Sequence, residues 1–330
     1  MAKTNLTDRL KHWLVEPHYP NIGIEFNSDC IRLAVVSSEN GNMKVQHLDA
    51  EVLPAGALEV NPFKPNIVSL EPVSDALRRL WARNRWKDSR ICLLIQDRSA
   101  LAFQVTLDQP PSNRQECSDL IRFKLKRNVP FRIEESQLSY FTPSGIPDYS
   151  ARSLWVTVIH HPVLHQYEQF VNSVIEVECG LVDFSTFNLM NLNHAQLKSS
   201  GAQEQDLLYV NLNRDYVSIA ITQNDKLAFY RSRALEGQTA PRDEALSEIY
   251  PTTLFYVDKL RGKGLARAFI YAVEDSDLLA GKVEETLLLK SSVLSAGSSG
   301  SLIVDSPNQK WAGSFTPLIG LIASRKVEYQ

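Results

Sequence analysis

The feature that most constrains the fold is an order of strands and turns that occurs twice in the chain. Residues 22–36 read IGIEFNSDCIRLAVV, two apolar runs joined by a short polar turn, and MKVQHLDAEVL follows after an Asn-Gly turn. Residues 207–232, LLYVNLNRDYVSIAITQNDKLAFYRS, repeat the order of strand, polar turn, strand, turn and strand. Asn-Gly and Asn-Asp between apolar runs are typical of β-hairpins. The sequence therefore predicts two halves, each beginning with a three-stranded meander.

Further elements complete the first half and interrupt it. A helix from Pro72 to about Trp86 and the buried strand ICLLIQ follow the first meander. Next come a strand at Leu101–Leu107, a helix opened by the capping signature SNRQ at residues 112–115, the strands SQLSYF and SLWVTVIH, and a helix from Pro162. These elements predict an inserted α+β unit of about 80 residues.

The second half continues with two helices on either side of the strand RAFIYAV. The helices are expected from Pro241 to about Leu260 and from Asp277 to about Leu289, and the polar stretch LKSSGAQEQD marks the boundary between the halves. The predicted fold class is α/β, with two duplicated halves and a small inserted α+β subdomain. The predicted domains are an N-terminal tail at 1–20, the first part of the first half at 21–96, the inserted unit at 97–177, the return to the first half at 178–200, and the second half at 201–330.

Composition excludes several classes of function. The 35 basic and 38 acidic residues give a formal charge of −3, which provides no general attraction for nucleic acid. No apolar run approaches the roughly 18 to 20 residues that span a bilayer, and the N-terminal residues lack the uninterrupted apolar core of a signal peptide. The four cysteines lie far apart without a CxxC pair, which favours reduced core residues. We therefore expect a chain that stays in the cytosol or on a membrane surface.

Two duplicated meanders resemble the layout of the actin-like ATPase fold, in which the first turn of each half faces the other across a cleft and holds phosphates. Those turns usually read Asp-x-Gly-Ser in the first half and Asp-x-Gly in the second. The equivalent stretches here are EFNS from Glu25 to Ser28 and NLNR from Asn211 to Arg214. The resemblance implies ATP and Mg²⁺ as ligands. The residues it places in the phosphate turns are Glu25, Asn27, Ser28, Asn211 and Asn213.

The chemistry of these turns argues against ATP hydrolysis. Glycine lets backbone N–H groups approach phosphate oxygens, and aspartate orients magnesium or its waters. Asn27 and Asn213 instead put side chains where the backbone should meet phosphate, and Asn211 lacks the carboxylate of a magnesium site. Asparagine tolerates positive φ, so we expect both turns to keep their shape. The sequence therefore predicts a pseudo-ATPase with a degenerate nucleotide cleft, without catalytic residues or a metal site, that either binds ATP weakly as a structural element or has lost it.

Several segments in order resemble the type IV pilus assembly protein PilM family, which is related to the cell-division protein FtsA. Residues 118–145, SDLIRFKLKRNVPFRIEESQLSYFTPSG, are similar to its stretch of a helix ending in Pro-Phe, acidic residues and a strand. Residues 153–192 are similar to its strand, helix and Gly-Leu, Val-Asp step into the next helix. Residues 248–256 resemble its second-half helix, and residues 317–321, PLIGL, its closing segment.

This resemblance implies a cytoplasmic protein bound to the inner face of the inner membrane. PilM is understood to hold the short cytoplasmic tail of PilN and to couple the pilus motor to the alignment complex. The groove for that tail lies between the first part of the first half and the inserted unit. The expected function is therefore a protein-binding scaffold that is peripheral to the membrane and able to form oligomers.

Three other functions stay open. An active ATPase or filament former would need the carboxylates of Glu25 and Glu248 to bind magnesium and water. A cytoplasmic domain of the GspL kind from type II secretion shares this fold but normally continues into a transmembrane helix. A sugar kinase of the same superfamily would need an intact phosphate turn and a catalytic aspartate.

Two local motifs have both a simple and a sharper interpretation. His161 and His165 share a helix face with Glu168 nearby, as in some metal sites, but Pro162 indicates only a strand end and a helix start. RFKLKRN at residues 122–128 is either the solvated face of the capped helix or a contact for anionic lipid or an acidic partner.

Overall fold

The computed structural model describes residues 20–327, with short gaps at residues 40–41, 85, 87–88, 146–147, 201–204, 238, 299–301, 306–307 and 309–310. Apart from Pro20, the predicted N-terminal tail lies outside the described residues, and so does the Asn40-Gly41 turn. The strands on both sides of that turn pair antiparallel, in agreement with the predicted hairpin.

The first half is built on a six-stranded sheet. Its first three strands form the predicted antiparallel meander, and two later strands run parallel to the first strand. These strands are β1 (Ile22–Phe26), β2 (Cys30–Glu39), β3 (Asn42–Val52), β4 (Arg90–Ile95) and β8 (Glu178–Phe184). The parallel strands β1, β4 and β8 end at the same edge of the sheet, which is where the polar turn between β1 and β2 lies.

Helices cover both faces of this sheet. On one face lie α1 (Leu70–Ala82) and α3 (His161–Ile175), and on the other lie α4 (Ser185–Ser200) and α7 (Thr316–Val327). Gly23 on β1 allows α7 to approach closely, because a Cβ atom there would lie 2.8 Å from carbons of Leu318 and Ile322. The first helix begins before the predicted Pro72 and ends before the predicted Trp86.

Two segments pack elsewhere than their predicted domain suggests. Helix α3, which we assigned to the inserted unit, buries Val163 and Tyr167 in the core of the first sheet. The C-terminal strand β14 (Leu302–Val304) and α7, which we assigned to the second half, join the first sheet, where β14 pairs with β3. An amphipathic pattern shows that a face is buried but not which sheet buries it.

The inserted unit is a three-stranded antiparallel sheet covered by one helix. In spatial order its strands are β5 (Leu101–Thr106), β7 (Ser153–His160) and β6 (Ser136–Phe141), and the helix is α2 (Arg114–Leu125). The core of the unit contains the predicted apolar stripe of α2, with Cys117, Ile121 and Leu125 all buried.

The N-terminus of α2 is capped one residue later than predicted. Asn113, not Ser112, is the capping residue, because the backbone N–H of Glu116 donates to its side-chain oxygen at 2.9 Å. Glu116 in turn accepts from the backbone N–H of Ser112 at 2.7 Å, so it takes the reciprocal role that SNRQ assigned to Gln115.

The second half is a five-stranded sheet with two helices on one face. Its strands are β9 (Leu207–Leu212), β10 (Tyr216–Gln223), β11 (Lys226–Ala234), β12 (Arg267–Ala272) and β13 (Ser291–Val293), and its helices are α5 (Pro241–Asp258) and α6 (Ser276–Leu287). The Asn224-Asp225 turn has φ of 49° and 62°, the left-handed conformation that a two-residue hairpin requires. The second meander is therefore built as its sequence predicts.

A shared apolar cluster joins the inserted unit to both halves. It contains Trp155 of the inserted unit, Leu189 of α4, and Tyr209 and Leu227 of the second sheet. The indole N–H of Trp155 donates to the backbone oxygen of Leu227 at 2.8 Å. The backbone N–H of Leu227 donates to the backbone oxygen of Pro143 at 2.7 Å. These contacts hold the second half in place against the rest of the chain.

Candidate functional site

The two polar turns are built alike. The backbone N–H of Asn27 donates to the oxygen of Cys30 at 2.9 Å, and that of Asn213 donates to the oxygen of Tyr216 at the same distance. We expected both turns to keep their shape because asparagine tolerates positive φ, but neither asparagine has a positive φ. The turns keep their shape through these backbone hydrogen bonds.

An ion pair that the sequence did not reveal connects the turns. Arg214 Nε lies 3.1 Å from Asp29 Oδ2, and its guanidinium also pairs with Glu274 beyond β12. Asp29 belongs to the first half and Arg214 to the second, so this ion pair connects the two halves at the turns. A cavity of about 390 Å³ lies beside it, lined by Ser28, Asp29, Val52, Leu53, Ala55, Gly56 and Arg214.

Glu25 is not an open magnesium ligand in this arrangement. Its carboxylate is 4% exposed and lies 3.1 Å from Arg32 Nη1, because the two residues are cross-strand partners on β1 and β2. Burial raises the pKa of the Glu25 carboxyl, and the Arg32 guanidinium opposes that rise. A divalent cation at Glu25 would have to compete with this guanidinium.

Asn27 fills the middle of the first turn. Asn27 is 3% exposed and lies beside the Glu25 carboxylate. Its side chain acts against the rise in the Glu25 pKa that burial causes. Neither its amide nitrogen nor its amide oxygen has a well-formed hydrogen bond among the described residues. A buried amide in this condition is unusual, because buried polar groups in proteins are nearly always hydrogen-bonded.

Asn211 is the centre of a buried polar cluster that links the halves. Its amide nitrogen donates to Asp97 Oδ2 at 3.2 Å, to Ser185 Oγ at 3.0 Å and to Thr186 Oγ1 at 2.9 Å. Its amide oxygen accepts from Asn213 Nδ2 at 3.1 Å. Asn211 is the penultimate residue of β9 in the second half, whereas its three acceptors follow β4 and β8 in the first half.

Asp97 contributes an ionisable carboxyl group to this cluster. Thr186 donates to it twice, through its backbone N–H at 3.0 Å and through its hydroxyl. Burial raises the pKa of the Asp97 carboxyl, while hydrogen bonds from Thr186, Ser218 and Asn211 act in the opposite direction. The raised pKa means that this site disfavours the ionised carboxylate.

Ser28 connects to the second half through Gln96. In the amide orientation that satisfies its neighbours, Gln96 accepts from the backbone N–H of Ser28 at 2.8 Å and donates to Asp215 Oδ2 at 3.2 Å. Burial raises the pKa of Asp215, and Arg98 partly offsets this effect. The backbone N–H that a phosphate would contact is therefore already paired with a side chain.

The structure thus brings the predicted site residues to one cleft, and it adds residues that sequence reasoning missed. The additions are Gln96, Asp97, Ser185, Thr186, Asp29, Arg214 and Asp215. A usable signal existed for four of them, since Gln96-Asp97 and Ser185-Thr186 directly follow the parallel strands β4 and β8. Polar groups at these strand ends converge on the same edge of the sheet as the first turn.

Two features outside the cleft bear on the alternatives. No group of three or more His, Cys, Asp or Glu side chains among the described residues could hold a metal ion. The rings of His161 and His165 stack with centroids 5.1 Å apart. None of the helices in the described part of the chain is long and apolar enough to cross a membrane.

Two duplicated sheets, with paired turns that face each other across a cleft, define a protein of the actin-like ATPase fold. A solved PilM-PilN type IV pilus biogenesis complex matches with a TM-score of 0.75 and 14% identity, over 93% of this chain and 99% of that chain. A Bacteroides thetaiotaomicron protein with an actin-like ATPase fold and unknown function matches with a TM-score of 0.50 and 11% identity, over 91% and 94% of the two chains. These matches confirm the predicted fold class.

The family model described as "Type IV pilus assembly protein PilM" matches residues 23–252, which is more than half of the chain. The chain therefore belongs to the PilM family of type IV pilus assembly proteins. This result confirms the resemblance found in the sequence. The search of the curated proteins gave no match at the threshold applied.

Proposed function

We propose that the chain is a cytoplasmic scaffold that binds the cytoplasmic tail of a PilN-type inner-membrane protein. The family assignment supports a role in pilus assembly, and the match to a PilM-PilN complex supports this kind of partner. Through the tail, the chain is held at the inner face of the inner membrane and couples the pilus motor to the alignment complex. Oligomers of the chain would repeat this coupling.

The observation that carries the proposal is an aromatic seam, formed by Phe63, Phe131 and His160, between the first half and the inserted unit. The rings of Phe131 and His160 stack with centroids 4.4 Å apart, and the Phe63 ring lies 6.4 Å from Phe131. His160 Nδ1 is 2.9 Å from the backbone oxygen of Phe63, which joins the two units. Phe63 is nevertheless 47% exposed. The seam therefore offers apolar surface to a peptide at the junction where the tail groove is expected.

Replacing Phe63 tests this assignment. Burying an exposed aromatic ring against a partner is the commonest origin of an interface hot spot, worth about 2 kcal/mol or more, or roughly 30-fold in affinity. We expect Phe63→Ala to weaken binding of a PilN-type tail peptide by at least tenfold in isothermal titration. Tyr250→Ala, at a 52% exposed aromatic on α5, is the matched control and should bind normally. Equal affinity of Phe63→Ala and wild type would place the tail elsewhere.

The nucleotide cleft is proposed to be a structural remnant without ATP hydrolysis. Asn213 pairs with Asn211, Asn211 pairs with Asp97 of the first half, and the backbone N–H of Ser28 pairs with Gln96. Of the predicted phosphate and magnesium groups, these and Glu25 are thus occupied by protein partners, whereas the buried Asn27 amide is not. In this proposal, the cluster replaces ATP as the element that holds the halves together.

Thermal unfolding with and without millimolar Mg-ATP tests the cleft. A ligand at about 100 times its dissociation constant adds roughly 2.7 kcal/mol to the free energy of unfolding, so binding would raise the Tm clearly. We expect no shift and no phosphate release. A magnesium-dependent shift, with phosphate release that Glu25→Ala abolishes, would instead support the active ATPase.

A further inference from the structure

The end of α2 carries an exposed surface that neither the cleft nor the aromatic seam uses. This basic-aromatic face consists of Phe123, Lys126 and Arg127. Phe123 is 79% exposed, more than any other aromatic side chain in the described part of the chain. It projects from the side of α2 opposite the buried Ile121 and Leu125, so it does not contribute to the core of the inserted unit.

The charges from Arg122 to Arg132 are all of one sign, whereas the exposed Asp119 lies one helical turn before Phe123. Residues 122–132, RFKLKRNVPFR, contain five basic residues and no acidic residue. Three of the five have partners within the protein: Arg122 donates to the backbone oxygen of Ile133 at 2.5 Å, Lys124 pairs with Asp108 at 3.2 Å, and Arg132 pairs with Glu135 at 3.5 Å. No ion pair of Lys126 or Arg127 is found among the described residues. These two cations are exposed, and both follow Phe123 by about one helical turn.

Helix stability alone does not account for this combination. Cations near a helix C-terminus interact favourably with its carbonyl groups, which explains Lys126 and Arg127 but not an exposed phenylalanine. A peptide partner needs a groove or a sheet edge, whereas the basic-aromatic face lies on the convex side of a helix. Exposed aromatic rings beside unneutralised cations suit an anionic bilayer, where the ring enters the headgroup region and the cations approach lipid phosphates.

We propose that the basic-aromatic face is a contact site for an anionic lipid bilayer. Phe123 inserts at the level of the headgroups, and Lys126 and Arg127, one turn further along the chain, bind lipid phosphates beside it. This contact is independent of the tail-binding proposal, because it requires only the chain and lipid. If the tail-binding proposal also holds, the face orients the inserted unit toward the membrane from which the tail emerges, since Phe131 of the seam lies six residues after Leu125, the last residue of α2.

Vesicle co-sedimentation of the full chain tests the contact. We expect binding to vesicles of phosphatidylglycerol mixed with phosphatidylcholine, weakening as salt is added, and little binding to phosphatidylcholine alone. Lys126→Gln with Arg127→Gln should reduce the partition coefficient by roughly tenfold to thirtyfold. The matched control, Lys282→Gln with Lys290→Gln, makes the same charge change at exposed positions on and after α6 and should bind like wild type.

A second pair of variants tests the role of the ring. Phe123→Ser should weaken vesicle binding severalfold, whereas Leu278→Ser, at a 51% exposed apolar residue on α6, should not. All six substituted positions of the four variants are exposed, so unchanged Tm values are expected and exclude unfolding as the cause. Equal binding of the Lys126/Arg127 variant and wild type, or equal binding to neutral vesicles, would overturn the proposal. So would binding of a soluble polyglutamate peptide without binding to anionic vesicles, which would identify an acidic protein as the partner.

Discussion

Replacing Asp97 with alanine is expected to loosen the connection between the two halves. Asp97 Oδ1 accepts from the backbone N–H of Thr186 at 3.0 Å, and Oδ2 accepts from Asn211 Nδ2 at 3.2 Å and from the Thr186 hydroxyl. Alanine removes these acceptors and deprives the buried Thr186 N–H and hydroxyl of this partner, while Asn211 keeps Ser185. A buried polar group that loses its partner costs about 1–3 kcal/mol, so with these two groups affected we expect a loss of about 2–6 kcal/mol.

Replacing Asp97 with asparagine separates the hydrogen bonds from the charge. The asparagine oxygen can still accept from the Thr186 N–H, and its amide nitrogen can donate to the Thr186 hydroxyl oxygen. That nitrogen cannot accept from Asn211 Nδ2, which loses this one bond and keeps Ser185 Oγ and Thr186 Oγ1 as acceptors. Burial raises the pKa of the Asp97 carboxyl, so the folded protein disfavours the charge that asparagine lacks. We expect Asp97→Asn to lie within about 1 kcal/mol of wild type at neutral pH.

The pH dependence provides an independent check on the same residue. Because its folded pKa is raised, the folded state holds the Asp97 proton more tightly than the unfolded state does. The contribution of Asp97 to stability is therefore full below the ordinary pKa of 3.8 and is lost as pH rises through the folded pKa. Asparagine does not titrate. The free energy of unfolding of Asp97→Asn should therefore increase relative to that of wild type as pH rises above that ordinary value. The raised pKa values of Glu25 and Asp215 act in both proteins and cancel in this difference.

Urea unfolding followed by circular dichroism at several pH values measures these free energies. The argument fails if Asp97→Ala loses less than about 0.5 kcal/mol, because the buried donors would then have other partners. It also fails if Asp97→Asn is as unstable as Asp97→Ala at every pH, because the ionised carboxylate itself would then hold the halves together.

Two further substitutions test packing and capping. A Cβ atom on Gly320 would lie 2.7 Å from the backbone oxygen of Asn188, so Gly320→Ala should lose about 1–3 kcal/mol in urea unfolding, whereas Gly281→Ala, in open space on α6, should gain about 0.4–1 kcal/mol. A stable Gly320→Ala would mean that α4 and α7 separate easily. Removing the α2 cap in Asn113→Ala should lose about 1 kcal/mol, and Gln115→Ala should be nearly neutral, which would reverse if SNRQ were the true capping box.

Much of the fold follows from local patterns. Alternating apolar residues predicted β1 to β3 and β9 to β11, and helical spacing predicted the buried faces of α1, α2 and α3. Patterns with a period of 2 or 3.6 depend only on which side of an element is buried. They therefore predicted where the helices and strands lie in the chain, but not which elements pack against one another. The short strand β14 lacked enough residues to show any period.

The candidate site divides in the same way. The predicted residues lie at the turns of a local repeat that resembles the phosphate turns of the actin-like ATPase fold; they are Glu25, Asn27, Ser28, Asn211 and Asn213. Whether these groups are free to bind phosphate depends on residues far away in the chain, such as Asp97 and Asn211, which are 114 positions apart and 3.2 Å apart in space. No local pattern encodes a hydrogen bond of that sequence separation.

The amino-acid sequence by itself determined the duplicated meanders, the inserted unit and the family, because these rest on hydrophobic period, turn residues and the order of segments. Only the tertiary structure decided that α3, β14 and α7 pack with the first sheet and that side chains occupy the cleft. The physical reason is that burial and turn geometry are properties of neighbouring residues. Which helix packs on which sheet, and which charged and amide groups pair across the cleft, depends instead on residues far apart in the chain. Those pairings form only when distant segments compete for the same partners in the folded chain.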